Sequence, residues 1–162
     1  MREIIKETCH SLRYGNYIQE LIMALNTVNT TWLDAMAFEN TVDGHKFTVD
    51  AQEEFGGKDR GPRPKPLLLA SLAGCTGMDV VSILQKMKQN ITFFNVKVEG
   101  ELRDEHPKRY TKIKVVYQFK KSDNLDDSKV RKAIVLSEDR YCGVSAMLKE
   151  VCDLSWELEY LD

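Results

Sequence analysis

GPRPKPLLLASLAGCTGMDVVSILQKMKQN, residues 61–90, is the stretch whose reading decides the fold. Pro62, Pro64 and Pro66 deny their backbone a ladder or a helix interior. Beyond them Leu68, Leu72, Cys75, Val80, Leu84 and Met87 recur at near-helical intervals, and the first half is apolar on nearly every side. A helix of that character belongs in the centre of a fold. Gly74 and Gly77 flank Cys75. Glycine is poor helix material, so beside the cysteine it points to close backbone packing. Asp79 is polar within this run and needs a partner if it is buried.

Upstream, GGKDRGPRPKP (56–66) is the strongest punctuation in the chain. A loop that places the next helix is preferred to a domain boundary, because neither side alone looks rich enough for a core. TTWLDAMAFE (30–39) and HKFTVDAQ (45–52) are strand-like, and the VDG between them predicts a hairpin. YIQELIMAL (17–25) has helical spacing at Ile18, Leu21, Ile22 and Leu25. Residues 1–26 are therefore read as an N-terminal helical extension and 27–162 as the main domain.

Downstream, FFNVKVEGELRDE (93–105) and RYTKIKVVYQFKK (109–121) alternate with period two around the turn EHPK, a second hairpin. DNLDDSKVRKAIVLSEDRY (123–141) predicts an amphipathic helix with an Asp or Ser cap. CGVSAMLKEV (142–151) follows as a short helix, and DLSWELEYL (153–161) as a closing strand. The pattern is α+β, with β-sheets wrapped around a buried central helix. Trp32, Phe38, Phe94 and Trp156 are core candidates, and Met78 and Met87 fit helix packing.

Composition narrows the function. The 162 residues carry 43% hydrophobic and 30% charged side chains and a net charge of −2. That balance excludes a strong polyanion binder, so neither nucleic acid nor an anionic membrane is an expected partner. Lys58, Arg60, Arg63 and Lys65 read as a solvated loop. No run looks long and apolar enough to cross a bilayer, and residues 1–11 lack the apolar core of a secretory signal, which points to the cytoplasm. His10, His45 and His106 form no ligand-spaced cluster with the four cysteines, so no metal or cofactor is expected.

Chemistry rests on cysteine. In AGCTG, Cys75 is read either as an inert core thiol or as a reactive one, the latter needing a group that stabilises its thiolate. Thr76 is a candidate donor to it. Asp79, one helical turn on, is a candidate for shaping the site. Cys142 sits between two predicted helices, where a helix N-terminus stabilises a thiolate, and it is a partner for Cys75 if the fold joins them. Cys152 reads as structural and Cys9 as incidental.

GPRPKPLLLASLAGCTGMDVVSILQKMKQNI, EHPKRYTKIKVVYQF and KAIVLSEDRYCGVSAML together resemble the OsmC/Ohr family, especially its YhfA-like branch. The likeness covers roughly residues 27–162. It implies an intertwined homodimer with two central helices inside β-sheets and sites at the interface. It also implies reduction of organic hydroperoxides, with Cys75 as peroxidatic and Cys142 as resolving cysteine and a thiol or dithiol as reductant. The hydroperoxide-resistance branch activates its thiol with an arginine from the N-terminal strands and a glutamate shortly before the first cysteine. Here Lys65 and Pro66 stand where the carboxylate is expected, and TTWLDAMAFENTVDGHKF holds no arginine. Arg60, Arg63 or Lys65 are the cations nearest in sequence. The alternative is a non-enzymatic dimer that binds a small apolar ligand or senses oxidants at the same place.

Overall fold

The computed structural model describes residues 25–162, so the predicted helix at 17–25 and the extension containing it lie outside the described residues, Leu25 apart. The chain divides at Gly61/Pro62 into two compact units. The proline–glycine run is thus a unit boundary, not a loop within one body as the sequence suggested.

The first unit holds an antiparallel meander, β1 (Val28–Asp34), β2 (Ala37–Val42) and β3 (His45–Val49), in that spatial order. The VDG hairpin is present, with Asp43 and Gly44 both at positive φ. TTWLDAMAFE is two strands, however. Ala35 turns the chain at φ 46°, and the Trp32 indole N–H donates to its carbonyl at 3.0 Å. Trp32 is 61% exposed and Phe38 also lies open, contrary to the core reading. A single three-stranded layer has no second layer of its own to bury them.

Asp50 organises the loop that follows. Its carboxylate accepts from the amides of Ala51, Lys58 and Arg60 and from the Arg60 guanidinium, at 2.8–3.3 Å. Arg60 also pairs with Asp34 at 2.6 Å. The glycines are steric necessities: a Cβ at Gly57 would meet the Ala51 carbonyl oxygen at 1.9 Å, and one at Gly61 the Thr48 carbonyl oxygen at 2.0 Å.

The second unit is built on α1 (Pro64–Lys86), with Pro64 at its first position, where a missing N–H has no consequence. A sheet follows in the order β4 (Phe94–Leu102), β5 (Tyr110–Lys120) and β6 (Asp153–Leu161). β4 and β5 are the predicted antiparallel hairpin, while β6 pairs with β5 in parallel. Two helices, α2 (Asp127–Leu136) and α3 (Gly143–Lys149), supply the crossover. Asp126 caps α2, accepting from the amides of Ser128 and Lys129. The five residues Ser137–Tyr141 between the helices form a single π-turn.

The core of this unit gathers Leu72, Val80 and Leu84 of α1, Ile113, Val115, Tyr117 and Phe119 of β5, and Val130, Ala133 and Ile134 of α2. Phe94 and Trp156 pack against it as predicted. Burial of α1 is one-sided. Only Leu72, Thr76, Val80 and Leu84, one stripe at i+4 spacing, are fully covered. Met78 is 71% exposed and Leu68 half exposed, so the all-round burial expected of this helix is not reached within one chain. By length and composition α1 is also apolar enough to cross a membrane, which corrects the sequence reading; its buried stripe packs as a core helix does.

Candidate functional site

Cys75 and Asp79 stand one turn apart on α1, at the border between the buried stripe and the open face. Cys142 arrives from the end of the π-turn and caps α3. The two sulfurs and a carboxylate oxygen of Asp79 lie within 4.8 Å of one another. Two thiols distant in sequence therefore share one site, and no disulfide joins them.

Their surroundings differ. Cys75 is half-buried, whereas Cys142 is only 3% exposed. The Ser145 amide donates to Cys142 Sγ at 3.3 Å. Even so, burial pushes the Cys142 thiol up, and the hydrogen bond with Cys75 adds to the rise despite the opposing Ser145 contacts. The expectation that a helix start would favour the Cys142 thiolate is corrected by that balance: desolvation of the anion outweighs one cap.

Asp79 accepts a hydrogen bond from the Ser137 hydroxyl at 3.1 Å. Thr76 faces inward and is wholly buried. Its hydroxyl lies 2.5 Å from the Tyr117 hydroxyl and 2.9 Å from that of Ser137, so it serves those groups and not the Cys75 sulfur as predicted. Tyr117 in turn donates to Glu138 Oε1 at 2.8 Å. Glu138 is buried; its Oε2 makes no hydrogen bond and stands 3.5 Å from the Lys149 ammonium. Burial holds the Tyr117 phenol well above the ordinary tyrosine range, and the Glu138 carboxylate reinforces the shift.

Of the predicted cations, Arg63 and Lys65 stand far along α1 from this cluster. Arg63 caps the start of α1 and Lys65 lies in its first turn. Twelve and ten residues of helix put them about 18 and 15 Å from Cys75 along the axis. Lys65 instead lines a small apolar pocket of about 180 Å³ with Leu68, Arg109, Tyr110 and Cys152. Arg60 is held by Asp34 and Asp50. A groove of about 390 Å³ runs along the open face of α1 past Met78, Val81 and Phe94, without including either sulfur.

The profile of OsmC-like proteins matches residues 56–157. The chain is 32% identical over 129 residues to protein YhfA of Escherichia coli (strain K12), covering 79% of this chain and 92% of that one. This chain belongs to the OsmC-like family. Among solved structures, a hypothetical protein of Aquifex aeolicus VF5 superposes with a TM-score of 0.73 at 29% identity, covering 86% of this chain and all of the other. The organic hydroperoxide resistance protein OhrB of Bacillus subtilis superposes with a TM-score of 0.61 at 17% identity, covering 84% and 98%. That last likeness shows the OsmC-like fold alone.

Sequence reasoning missed Tyr117, Glu138, Ser145 and Lys149 as members of this OsmC-like site. Tyr117 carried one usable signal, a hydroxyl in the inward row of an otherwise aliphatic and aromatic strand. Glu138 carried none, because the π-turn that turns it inward has no local signature.

Proposed function

We propose that this protein reduces organic hydroperoxides with a pair of thiols, Cys75 attacking and Cys142 resolving, in a homodimer formed over the open face of α1. The observation that supports it most directly is the meeting of the two sulfurs in one half-buried site. The Cys75 thiolate takes the distal peroxide oxygen, the O–O bond breaks, and the departing alkoxide gains a proton, leaving Cys75–SOH and an alcohol. Cys142–SH then displaces that oxygen as water and the disulfide forms. A thiol or dithiol reductant returns both cysteines by exchange. The name of the Bacillus subtilis structure supports hydroperoxides as the substrate class. The exposed apolar row of α1 supports assembly with a second copy, and only such assembly would bring Arg63 or Lys65 to a Cys75.

An anaerobic thiol count and intact mass, taken before and after one equivalent of cumene hydroperoxide, test this. Loss of two thiols and about 2 Da, abolished by Cys75→Ser and by Cys142→Ser, is the expected result. Unreacted thiols in a folded protein would overturn it. The elevated Cys142 thiol favours a second reading, an oxidant sensor, for which one oxidation without turnover by a dithiol would be the mark.

A further inference from the structure

The buried polar groups behind Cys75 form a line of five: Glu138, Tyr117, Thr76, Ser137 and Asp79. Four contacts join them, at 2.8, 2.5, 2.9 and 3.1 Å in that order. Each contact needs one proton between its two oxygens. The line holds three hydroxyls, and each owns one proton. With both end groups ionised, Tyr117 gives its proton to Glu138 and Ser137 gives its proton to Asp79. Thr76 then has one proton for two neighbours, and one contact places bare lone pairs together inside the core. Such an unpaired contact is costly where water cannot enter.

One further proton removes the conflict. With a proton on Glu138, every hydroxyl donates in the same direction, Glu138 to Tyr117 to Thr76 to Ser137 to Asp79. With it on Asp79, all four contacts reverse. We infer that the cluster holds one labile proton shared between Glu138 and Asp79, and that this line carries it from the buried Glu138 to the edge of the Cys75–Cys142 pair. Moving it requires each hydroxyl to pass one proton and receive one, so each still owns one proton afterwards while its direction of donation reverses, and the return transfer restores the line.

The charged and titratable groups around it come from each packed element. α1 supplies Cys75, the π-turn supplies Asp139, and Cys142 lies at the start of α3. Lys149 of α3 stands 3.5 Å from Glu138 Oε2 and donates to the Glu138 carbonyl at 2.8 Å.

The use of this proton deepens the proposed reduction and rests on it. As a carboxylate, Asp79 takes the Cys75 thiol proton; as an acid, it returns that proton to the departing alkoxide. The sum, Cys75–SH plus hydroperoxide giving Cys75–SOH plus alcohol, leaves the cluster unchanged. Asp79 thus fills the place left by the absent glutamate.

Infrared difference spectra of the reduced full-length protein at neutral pH, in water and in D₂O, test for the proton without any peroxide. The wild type is expected to show the carbonyl stretch of a buried protonated carboxyl, shifted in D₂O and assigned by its change in Glu138→Gln and Asp79→Asn. Thr76→Val cuts the line into two contacts with two protons, so the band is expected to vanish, while Thr76→Ser keeps it. Ser137→Ala also leaves two contacts with two protons, Thr76 donating to Tyr117 and Tyr117 to Glu138, and serves if Thr76→Val does not fold. Absence of the band from folded wild type, or its persistence in folded Thr76→Val or Ser137→Ala, would overturn the proposal. A band with these properties in a protein that fails to reduce cumene hydroperoxide would leave the relay standing and remove the peroxidase reading instead.

Discussion

The Ser145 amide donates to Cys142 Sγ at 3.3 Å, so the inner cysteine is also a helix cap. The cap orients the sulfur, but burial dominates its ionisation. Cys75 is therefore expected to be alkylated by iodoacetamide well before Cys142 at neutral pH, and Cys142 only after unfolding or at high pH. Peptide mapping of the reduced protein against time checks this. Equal rates for the two would mean that the inner site is open.

The same burial sets an alkaline limit to stability. Cys142 and Tyr117 are both raised above their ordinary values of 9.0 and 10.0 in the folded chain. Above about pH 9 the unfolded thiol loses its proton while the folded one keeps it, so the folded state binds more protons and stability falls as pH rises. The tyrosine extends the fall beyond about pH 10. Urea midpoints at pH 7, 9 and 10.5 are expected to decline, with a shallower first step in Cys142→Ser.

How much of this was legible in the sequence depended on the range of the interaction. α1 and the β4–β5 hairpin were readable because helical and alternating periods are local. The break at Ala35 was not, since neither glycine nor proline marks it and a backbone hydrogen bond from Trp32 supports the turn. Met78 was assigned to packing, yet sits on a face that one chain leaves open. The position of Cys142 before a helix and the family likeness both point to a pairing with Cys75, conditional on the fold, and the fold brings the two sulfurs together. The pairs Thr76–Tyr117 and Tyr117–Glu138 join separate elements, and no spacing encodes them.

The open face of α1 gives the assembly prediction. Met78→Glu sets a charge in the middle of an apolar row while touching none of the four fully buried positions of the helix. The proposed homodimer should weaken by at least about a hundredfold, given that burying an unpaired charge costs several kcal/mol. Sedimentation equilibrium is expected to show a wild-type dimer and a folded variant monomer. A monomeric wild type would refute the assembly.

Tyr117→Phe keeps the ring, stacked on Phe94 and edge-on to Trp156, and deletes only the hydroxyl. It leaves Glu138 Oε1 and the Thr76 hydroxyl each short of a partner inside the core. A buried group without its hydrogen bond costs about 1–3 kcal/mol. Urea unfolding at pH 7 should show a loss of that order with an unchanged m-value, as expected when compactness is retained.

Asp50 predicts the acid behaviour of the first unit. Burial would raise its carboxyl, but the amides of Lys58, Arg60 and Ala51 and the Arg60 guanidinium together hold it below the ordinary 3.8. A depressed folded value means that the unfolded carboxylate captures its proton first. The contribution of Asp50 is therefore complete above about pH 4 and is lost as pH falls through the folded value. Asp50→Asn keeps one acceptor oxygen but presents an NH₂ group to three amide donors and a guanidinium. Hydrogen exchange at the Lys58 and Arg60 amides is expected to accelerate at pH 6, with the amides of β5 unchanged. Equal acceleration in both units would mean that Asp50 supports the whole chain and not its own loop.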